Sequence, residues 1–404
     1  MTGTGDRVGV NACNLGENPL RKSQEIMRNL SVAVRSCVVS TPQRRWRQQY
    51  DASNTTVDML AAILHHIMED RYQGHLQPGE SADLEFVPLP CLMEDDQSLR
   101  PPPKFGRFAV LSAPWTDFGL AGRMRRVCSH SCNPLLLERL AFLSVEAPSF
   151  IPHGYRMEKV RFPPIRPEMP VFQVPYPSAS HWDGTRLPPV PPLEARRMLA
   201  ALMANTRERG TNALIGRSSL REMLRDECAA APGTCVLAGG VRDGALWREG
   251  KRYISTAYAG SRFCLQPSGD TATRKGFWDA IQMGCINVIF FTSAGYNGTD
   301  EWFGPVTKWS VLVPTAAVVQ KRVLHFLASI PLERVRELHD SVLRARARLQ
   351  YAINGSPPGG DAADIIMERL AGSFEQHKSR REVERTGKRT CNTIAALCAR
   401  LYQH

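Results

Sequence analysis

Residues 261–291 read SRFCLQPSGDTATRKGFWDAIQMGCINVIFF, and this stretch decides the fold prediction. A short apolar run, Phe263–Leu265, leads into a turn over 267–271 that contains proline and glycine. Apolar residues then recur at helical spacing from Phe277, and Ile286–Phe291 is an apolar run too short for a separate helix. Strand, turn, helix and strand in this order predict a βαβ unit, because parallel strands need a crossover connection.

The turn and the start of the predicted helix carry groups suited to an anion. Gly269 lets the backbone approach a ligand closely, and Asp270, Thr271 or Thr273 can cap the helix. The N-terminus of a helix presents N–H donors and the positive end of a dipole, to which Arg274 adds formal charge. An ordinary capped helix with surface cations explains the same residues, and both interpretations stay open at this point.

A carboxylate follows one turn into the same helix. Asp279 lies on a side of the predicted helix different from its apolar seam, where it can accept hydrogen bonds from the vicinal hydroxyls of a ribose. Phosphate donors followed by a ribose acceptor describe a pocket for a nucleoside diphosphate. The residues predicted to bind the nucleotide are Ser268, Gly269, Asp270, Thr271, Thr273, Arg274 and Asp279, with Arg217 as a second phosphate contact.

The motif resembles that of a known enzyme family. Phe-Cys-Leu-x-Pro-x-Gly-Asp-x-x-Thr-Arg, then Asp-Ala-Ile and Gly-Cys-Ile-x-Val-Ile-Phe, is similar to the signature of the exostosin-like glycosyltransferases, glycosyltransferase family 47. Its Gly-Asp-Thr and Thr-Arg elements resemble the plant and algal branch that includes xyloglucan galactosyltransferases. The segment from Val174 to Pro177, followed by His181, is also similar to the family. Asn287 departs from it, since the family usually has proline there.

The resemblance implies a fold and a reaction. It implies an α/β protein of the GT-B class, in which two Rossmann-like domains face a central cleft. The reaction would be an inverting transfer from a UDP-sugar to a polysaccharide or glycoprotein glycan hydroxyl, with no metal cofactor, and the chain contains no Asp-x-Asp motif. The predicted boundaries are 1–42 for a poorly ordered or peripheral arm, 43–190 for the acceptor-side domain, 191–375 for the nucleotide-sugar domain and 376–404 for a tail helix.

An inverting step needs a base near the acceptor oxygen. Asp117, His65 and His181 are the candidates, and the residues do not rank them. A histidine on an amphipathic helix such as 57–68 is also commonly structural. The Asp-His pair that commonly precedes the Trp-Asp-Phe segment of the family is missing, which keeps open a second possibility, an inactive homologue that binds glycan.

Composition and charge limit the remaining classes. The 404 residues carry a net charge of +12, which suits an anionic donor and would also suit nucleic acid, although no basic-aromatic motif supports nucleic-acid binding. No apolar window of about 18 residues and no signal peptide are seen. Membrane contact is therefore expected only through an anchor absent from this sequence. The family resemblance implies the Golgi lumen.

Cysteine spacing adds two expectations. None of the eleven cysteines lies in a pattern typical of zinc, and close pairs such as Cys228 and Cys235 could form disulfides in a lumenal protein. Cys264 and Cys285 fall inside the predicted βαβ elements, where we expect them to act as small buried hydrophobic residues.

Overall fold

The computed structural model contains two five-stranded sheets, and every strand pair in both is parallel. The structure describes residues 32–34, 67, 71, 84–87, 108–112, 140–145, 171–176, 187, 189–204, 214–215, 218–238, 255–267, 274–290, 305–352, 355 and 359–372. The predicted α/β class is confirmed. The predicted tail helix, 376–404, lies outside the described residues.

The first sheet is ordered as its strands follow one another in the chain. Its strands are β1 (Val32–Val34), β2 (Leu84–Val87), β3 (Phe108–Ser112), β4 (Leu140–Ser144) and β5 (Val171–Gln173). The middle three coincide with apolar runs of the sequence. β1 lies inside the segment 1–42 that the sequence predicted to be a peripheral arm, yet it pairs with β2 as an edge strand of this sheet.

The second sheet has the order of a doubly wound fold. Its strands are β6 (Met198–Met203), β9 (Cys235–Ala238), β10 (Ser261–Leu265), β11 (Ile286–Ile289) and β12 (Ser310–Leu312). From one edge to the other the order is β9, β6, β10, β11, β12. The chain therefore starts at β6, adds one neighbour, and then crosses to the other side at β10. A short antiparallel pair, β7 (Leu214–Ile215) and β8 (Ser218–Ser219), lies outside this sheet.

The predicted βαβ unit is present. β10 is followed by a helix at Lys275–Gln282 and then by β11, with Phe263 aligned to Ile286. Alternate residues of β6 enter two different core clusters, as expected for a parallel sheet covered on both faces: Ala200 and Leu202 in one, Ala201 and Met203 in the other.

The helices of the second half surround this sheet. They are α1 (Leu220–Ala229), α2 (255–260), α3 (Lys275–Gln282), α4 (Thr315–Val319), α5 (Val323–Ala328), α6 (Leu332–Arg348) and α7 (362–372). Pro331 precedes α6 at the N-cap, as the sequence predicted for a helix opening there. Within the described residues, no helix combines the length and apolar character needed to cross a membrane.

The first and second halves of the chain meet in a packed seam around α7. Asp361 caps α7 by accepting hydrogen bonds from the amides of Ala363 and Asp364 at 2.9 and 3.1 Å. Its carboxylate also pairs with both terminal nitrogens of Arg71, at 2.9 and 3.0 Å, across 290 residues of sequence. Beside it, the Tyr351 hydroxyl donates to the carbonyl of Pro175 at 2.9 Å.

Two disulfides occur in the described part of the chain. Cys228 pairs with Cys235, one of the close pairs seen in the sequence. Cys264 pairs with Cys285, so the expectation that these two are only small buried hydrophobic residues is wrong. Cys264 lies within β10 and Cys285 directly precedes the neighbouring strand β11, which brings the two sulfurs together although 21 residues separate them.

The two disulfides allow a test of how the length of the closed loop affects the stabilisation that a disulfide provides. All four cysteines are at most 2% exposed, so replacing each pair by alanine leaves comparable cavities. The loops differ, with separations of 21 and 7 residues. By the chain-entropy relation we expect Cys264→Ala with Cys285→Ala to cost about 3 kcal/mol of unfolding free energy, and Cys228→Ala with Cys235→Ala about 2 kcal/mol. Urea titration of both double variants checks this, and a reversed order would contradict it.

Candidate functional site

The candidate site lies where β6 and β10 end. These two strands are neighbours in the sheet, yet the chain leaves them toward opposite sides, which makes this the topological switch point. In doubly wound α/β folds, ligands bind in the crevice outside the carboxyl ends of the strands at this point. β6 ends at Met203, β10 ends at Leu265, and α3 begins at Lys275 after the turn that follows β10.

Arg274 bridges the two strand ends. Its Nη2 donates to the carbonyl of Met203, and its Nη1 donates to the carbonyl of Pro267 at 3.4 Å. A guanidinium has five N–H donors, so these two bonds leave three that no bond to a described residue uses. The side chain is half-buried. The cation is thus fixed by backbone at the switch point while keeping donors for an anion.

α3 begins without a side-chain cap. Arg274 occupies the N-cap position in an extended conformation and makes no capping hydrogen bond. The prediction that Asp270, Thr271 or Thr273 caps this helix is therefore wrong about the position, which the structure gives to Arg274. The positive end of the helix dipole and the Arg274 guanidinium consequently lie at the same place, and both favour a negative ligand.

Asp279 carries an ion pair on the outer face of α3. Lys275 Nζ lies 2.8 Å from each carboxylate oxygen, at the favourable spacing of four residues. The Asp279 side chain is 18% exposed. The ribose assignment of Asp279 stays a prediction.

Three groups that the sequence did not single out surround Arg274. Tyr258 from α2 is fully buried, and Gln266 directly after β10 is 4% exposed. The Gln266 amide donates to the carbonyl of Gly276 at 3.2 Å. A Cβ added at Gly276 would lie 3.0 Å from both the Tyr258 hydroxyl and Arg274 Nη2. No motif marked these residues, because their meeting depends on the sheet register and not on sequence spacing.

The far end of α3 is held by a buried cation. Arg196, which is 0% exposed, donates to the carbonyls of Tyr258, Ser261 and Met283 at 3.1, 2.9 and 2.7 Å. Burial, with the charge of Arg346 adding to it, lowers the pKa of Arg196 to about 10. A cation at the C-terminus of a helix complements the dipole. These bonds also tie the C-terminal end of α3 to α2 and to the start of β10.

Asn287 supports the same helix from the following strand. Its side chain is fully buried, and its amide donates to the carbonyl of Phe277 at 2.9 Å. The asparagine found where the family usually has proline therefore bonds α3 to β11. A proline could not make this contact, since it has no side-chain donor.

Most of the predicted site residues lie outside the described residues. Only Arg274 and Asp279 are described; Arg274 is the N-cap residue of α3, and Asp279 lies one turn into the helix. The others are Asp117, His65 and His181 among the candidate bases, and Arg217, Ser268, Gly269, Asp270, Thr271 and Thr273 around the nucleotide. Among the residues that the structure does describe, no three His, Cys, Asp or Glu side chains are grouped so that they could hold a metal ion.

Part of the chain matches a known protein family. Residues 157–330 match the Exostosin GT47 domain, a range that includes β6, β10 and α3. The chain is 33% identical over 162 residues to the probable xyloglucan galactosyltransferase GT12 of Arabidopsis thaliana, covering 38% of this chain and 30% of that protein.

Two more plant proteins show the same relationship. The probable xyloglucan galactosyltransferase GT13 is 27% identical over 212 residues, covering 50% of this chain and 42% of that protein. The xyloglucan galactosyltransferase MUR3 is 33% identical over 103 residues, covering 24% and 16%. Both are from Arabidopsis thaliana. The matched regions thus span less than half the length of these relatives.

The resemblance predicted from the motif after β10 is confirmed by these matches. Residues 157–330 match the Exostosin GT47 domain, and the chain is similar to plant xyloglucan galactosyltransferases.

Proposed function

We propose that this protein transfers a sugar from a UDP-sugar to a hydroxyl of a polysaccharide such as xyloglucan, or of a glycoprotein glycan, with inversion at the anomeric carbon. One observation carries the proposal: Arg274 joins the ends of β6 and β10 at the switch point, beside the N-terminus of α3. That the relatives are named xyloglucan galactosyltransferases supports a glycan acceptor.

The chemistry asked of Arg274 is electrostatic. As the bond from the sugar to the diphosphate breaks, negative charge develops on the leaving UDP. The N–H donors of a fixed guanidinium and of the helix terminus stabilise that charge without having to reorganise. The proposal includes two Rossmann-like domains that face a cleft, with the acceptor held opposite the second sheet.

The proton from the acceptor hydroxyl needs a base on the other side of the cleft. Asp117, His65 and His181 remain the candidates. We also propose that the reaction needs no metal cofactor. Assays of sugar transfer with and without EDTA test this expectation directly.

Asp279 gives a prediction that separates ribose from phosphate. If its carboxylate accepts hydrogen bonds from the ribose hydroxyls, Asp279→Ala should lower the affinity for UDP about tenfold, while the affinity for inorganic pyrophosphate changes little. Isothermal titration calorimetry with both ligands measures the two losses. Lys275→Ala serves as the matched control, because it breaks the same ion pair but keeps the carboxylate. Equal losses for both ligands would reject the ribose assignment.

The direct test is a panel of UDP-sugars. We expect one or more of them to raise the melting temperature, since a ligand that binds only the folded state stabilises it. The stabilising donor should then release UDP when xyloglucan is added. Stabilisation without UDP release would favour the inactive glycan-binding homologue. No stabilisation by any UDP-sugar, together with salt-dependent binding of random DNA, would favour a nucleic-acid-binding protein.

The proposed location is the Golgi lumen. The Cys264–Cys285 and Cys228–Cys235 disulfides support it, because disulfides persist in the secretory pathway and are rare in the cytosol.

A further inference from the structure

Tyr258 is a buried tyrosine that lies near Arg274 and Gln266. The residue lies in α2 directly before β10 and is 0% exposed. Its hydroxyl meets the distance and angle criteria for no hydrogen bond within the described part of the chain. Burial raises the pKa of Tyr258, while the nearby charge of Arg274 and the Gln266 side chain, which also lies close, act in the opposite direction. The hydroxyl therefore stays protonated and faces the cation.

Gly276 leaves the space that these two groups share. A Cβ added at Gly276 would lie 3.0 Å from the Tyr258 hydroxyl, 3.0 Å from Arg274 Nη2 and 3.1 Å from Arg274 Nε. Those distances are shorter than van der Waals contact. Gly276 lies in the first turn of a regular helix, and its φ is not positive, so backbone conformation does not demand glycine here. Glycine is favoured here because the Arg274 guanidinium and the Tyr258 hydroxyl both lie within 3.1 Å of the position that a Cβ would occupy.

Gln266 holds Gly276 in place from the end of β10. Its amide donates to the Gly276 carbonyl at 3.2 Å, which ties the first turn of α3 to the end of β10. Tyr258 and Arg274 therefore both lie beside Gly276, and Gln266 holds the turn that carries Gly276 against the end of β10. Since Tyr258 is fully buried, its hydroxyl acts on Arg274 and not on a bound nucleotide.

We propose that Tyr258 is a positioning residue that, with Gly276, holds the Arg274 guanidinium in the orientation that binds the diphosphate. Met203 and Pro267 fix two of its N–H groups through their carbonyls, and the Tyr258 hydroxyl limits rotation of the side that faces α3. This rests on the proposed function, in which Arg274 binds the diphosphate of the nucleotide sugar. The inference adds the group that keeps the cation in place.

Tyr258→Phe tests the proposal with two readouts of opposite sign. Removing a buried hydroxyl that lacks a hydrogen-bond partner should leave the melting temperature unchanged or raise it. Losing its hold on Arg274 should at the same time lower the affinity for UDP three- to tenfold, as measured by calorimetry. A merely structural role would lower the melting temperature. Tyr351→Phe is the matched control: it removes a buried hydroxyl that is hydrogen-bonded elsewhere, and should lower the melting temperature without changing UDP affinity.

Gly276→Ala is the second variant. The added methyl would lie 3.0 Å from both Arg274 Nη2 and the Tyr258 hydroxyl, so one of them must shift by a few tenths of an ångström, and we expect UDP affinity to fall about threefold. Gly260→Ala controls for the loss of a glycine, because no atom lies within 4 Å of a Cβ added there, and its UDP affinity should match that of the unmodified protein.

A double variant shows whether Tyr258 acts through Arg274. In an Arg274→Lys background, Tyr258→Phe should change UDP affinity less than twofold, since the guanidinium it positions is gone. A full additional loss in that background would overturn the positioning role, as would unchanged UDP affinity in Tyr258→Phe alone. If the unmodified protein binds no UDP, the proposed function fails first, and the inference falls with it.

Discussion

Replacing Asp361 by asparagine is expected to lower the free energy of unfolding by about 3 kcal/mol, because, among the residues described, the change removes the nearer of two carboxylates beside a buried cation and leaves only Asp364, 3.6 Å from Arg71 Nη1. Asp361 is 0% exposed, and Arg71, its bidentate partner, has a side chain that is 8% exposed. Asparagine keeps the size of the side chain. It replaces one acceptor oxygen by an NH₂ group that faces donors.

Asp361 also has hydrogen-bond partners other than Arg71. Its Oδ2 also accepts from the Ala352 amide at 2.6 Å, and its Oδ1 accepts from the two amides at the start of α7. Burial raises the pKa of Asp361, and its bonds to Arg71 counter that shift. Asparagine can accept through one oxygen only, so several of these donors lose their partner at once.

Urea titration of Asp361→Asn measures the cost, with a surface ion pair as control. Arg334 and Glu337 lie 2.7 Å apart on α6 with side chains 50% and 64% exposed. Pairs of this kind contribute roughly 0.2–1 kcal/mol, so Glu337→Gln should change little. An equally small loss for Asp361→Asn would show that the seam around α7 does not depend on this ion pair.

Replacing Arg274 by alanine is expected to lower UDP affinity by about one to two orders of magnitude. Charge-assisted hydrogen bonds contribute about 1.5–3 kcal/mol, and each 1.4 kcal/mol corresponds to a factor of ten. The loss should be nearly as large for inorganic pyrophosphate, because Arg274 is proposed to bind the diphosphate and not the nucleoside. Calorimetry with both ligands is the measurement.

Two controls separate this role from a structural one. Arg274 also donates to the Met203 and Pro267 carbonyls, so its removal costs two backbone contacts. Arg274→Gln can still donate to a carbonyl but carries no charge, and its UDP affinity should resemble that of Arg274→Ala. Arg344→Ala removes an exposed arginine of α6 that bonds only Ser341 among the residues described, and should leave binding unchanged. Full UDP affinity in a folded Arg274→Ala protein would remove Arg274 from the site.

The sequence predicted the parts of this fold that depend on local pattern. The βαβ unit of β10, α3 and β11 follows from an apolar run, a turn and helical spacing within 31 residues of sequence, and it is observed. The same pattern places Arg274 near the start of α3, but its occupation of the N-cap position was not predicted. Val32–Val34 was missed because a three-residue edge strand carries almost no periodic signal.

What depends on register was not predictable from a single sequence. The pairing of Cys264 with Cys285 requires β10 and β11 to be neighbours in one specific alignment, with Cys264 opposite Asn287. Tyr258 lies 16 positions before Arg274, and only the return of the chain through β10 and the turn after it brings them together. Arg196, an ordinary arginine in the sequence, is completely buried, and three backbone carbonyls accept hydrogen bonds from its Nη1 and Nη2.

The Cys264–Cys285 bond has a practical consequence for recombinant production. It links the strand that leads into the candidate site with the start of the next strand. Protein made in a reducing bacterial cytosol would lack this link, and a lack of UDP binding or sugar transfer in such a preparation would not test the proposed function. Secretion from yeast or insect cells, followed by a thiol count on the purified protein, gives material on which the assays above can be interpreted.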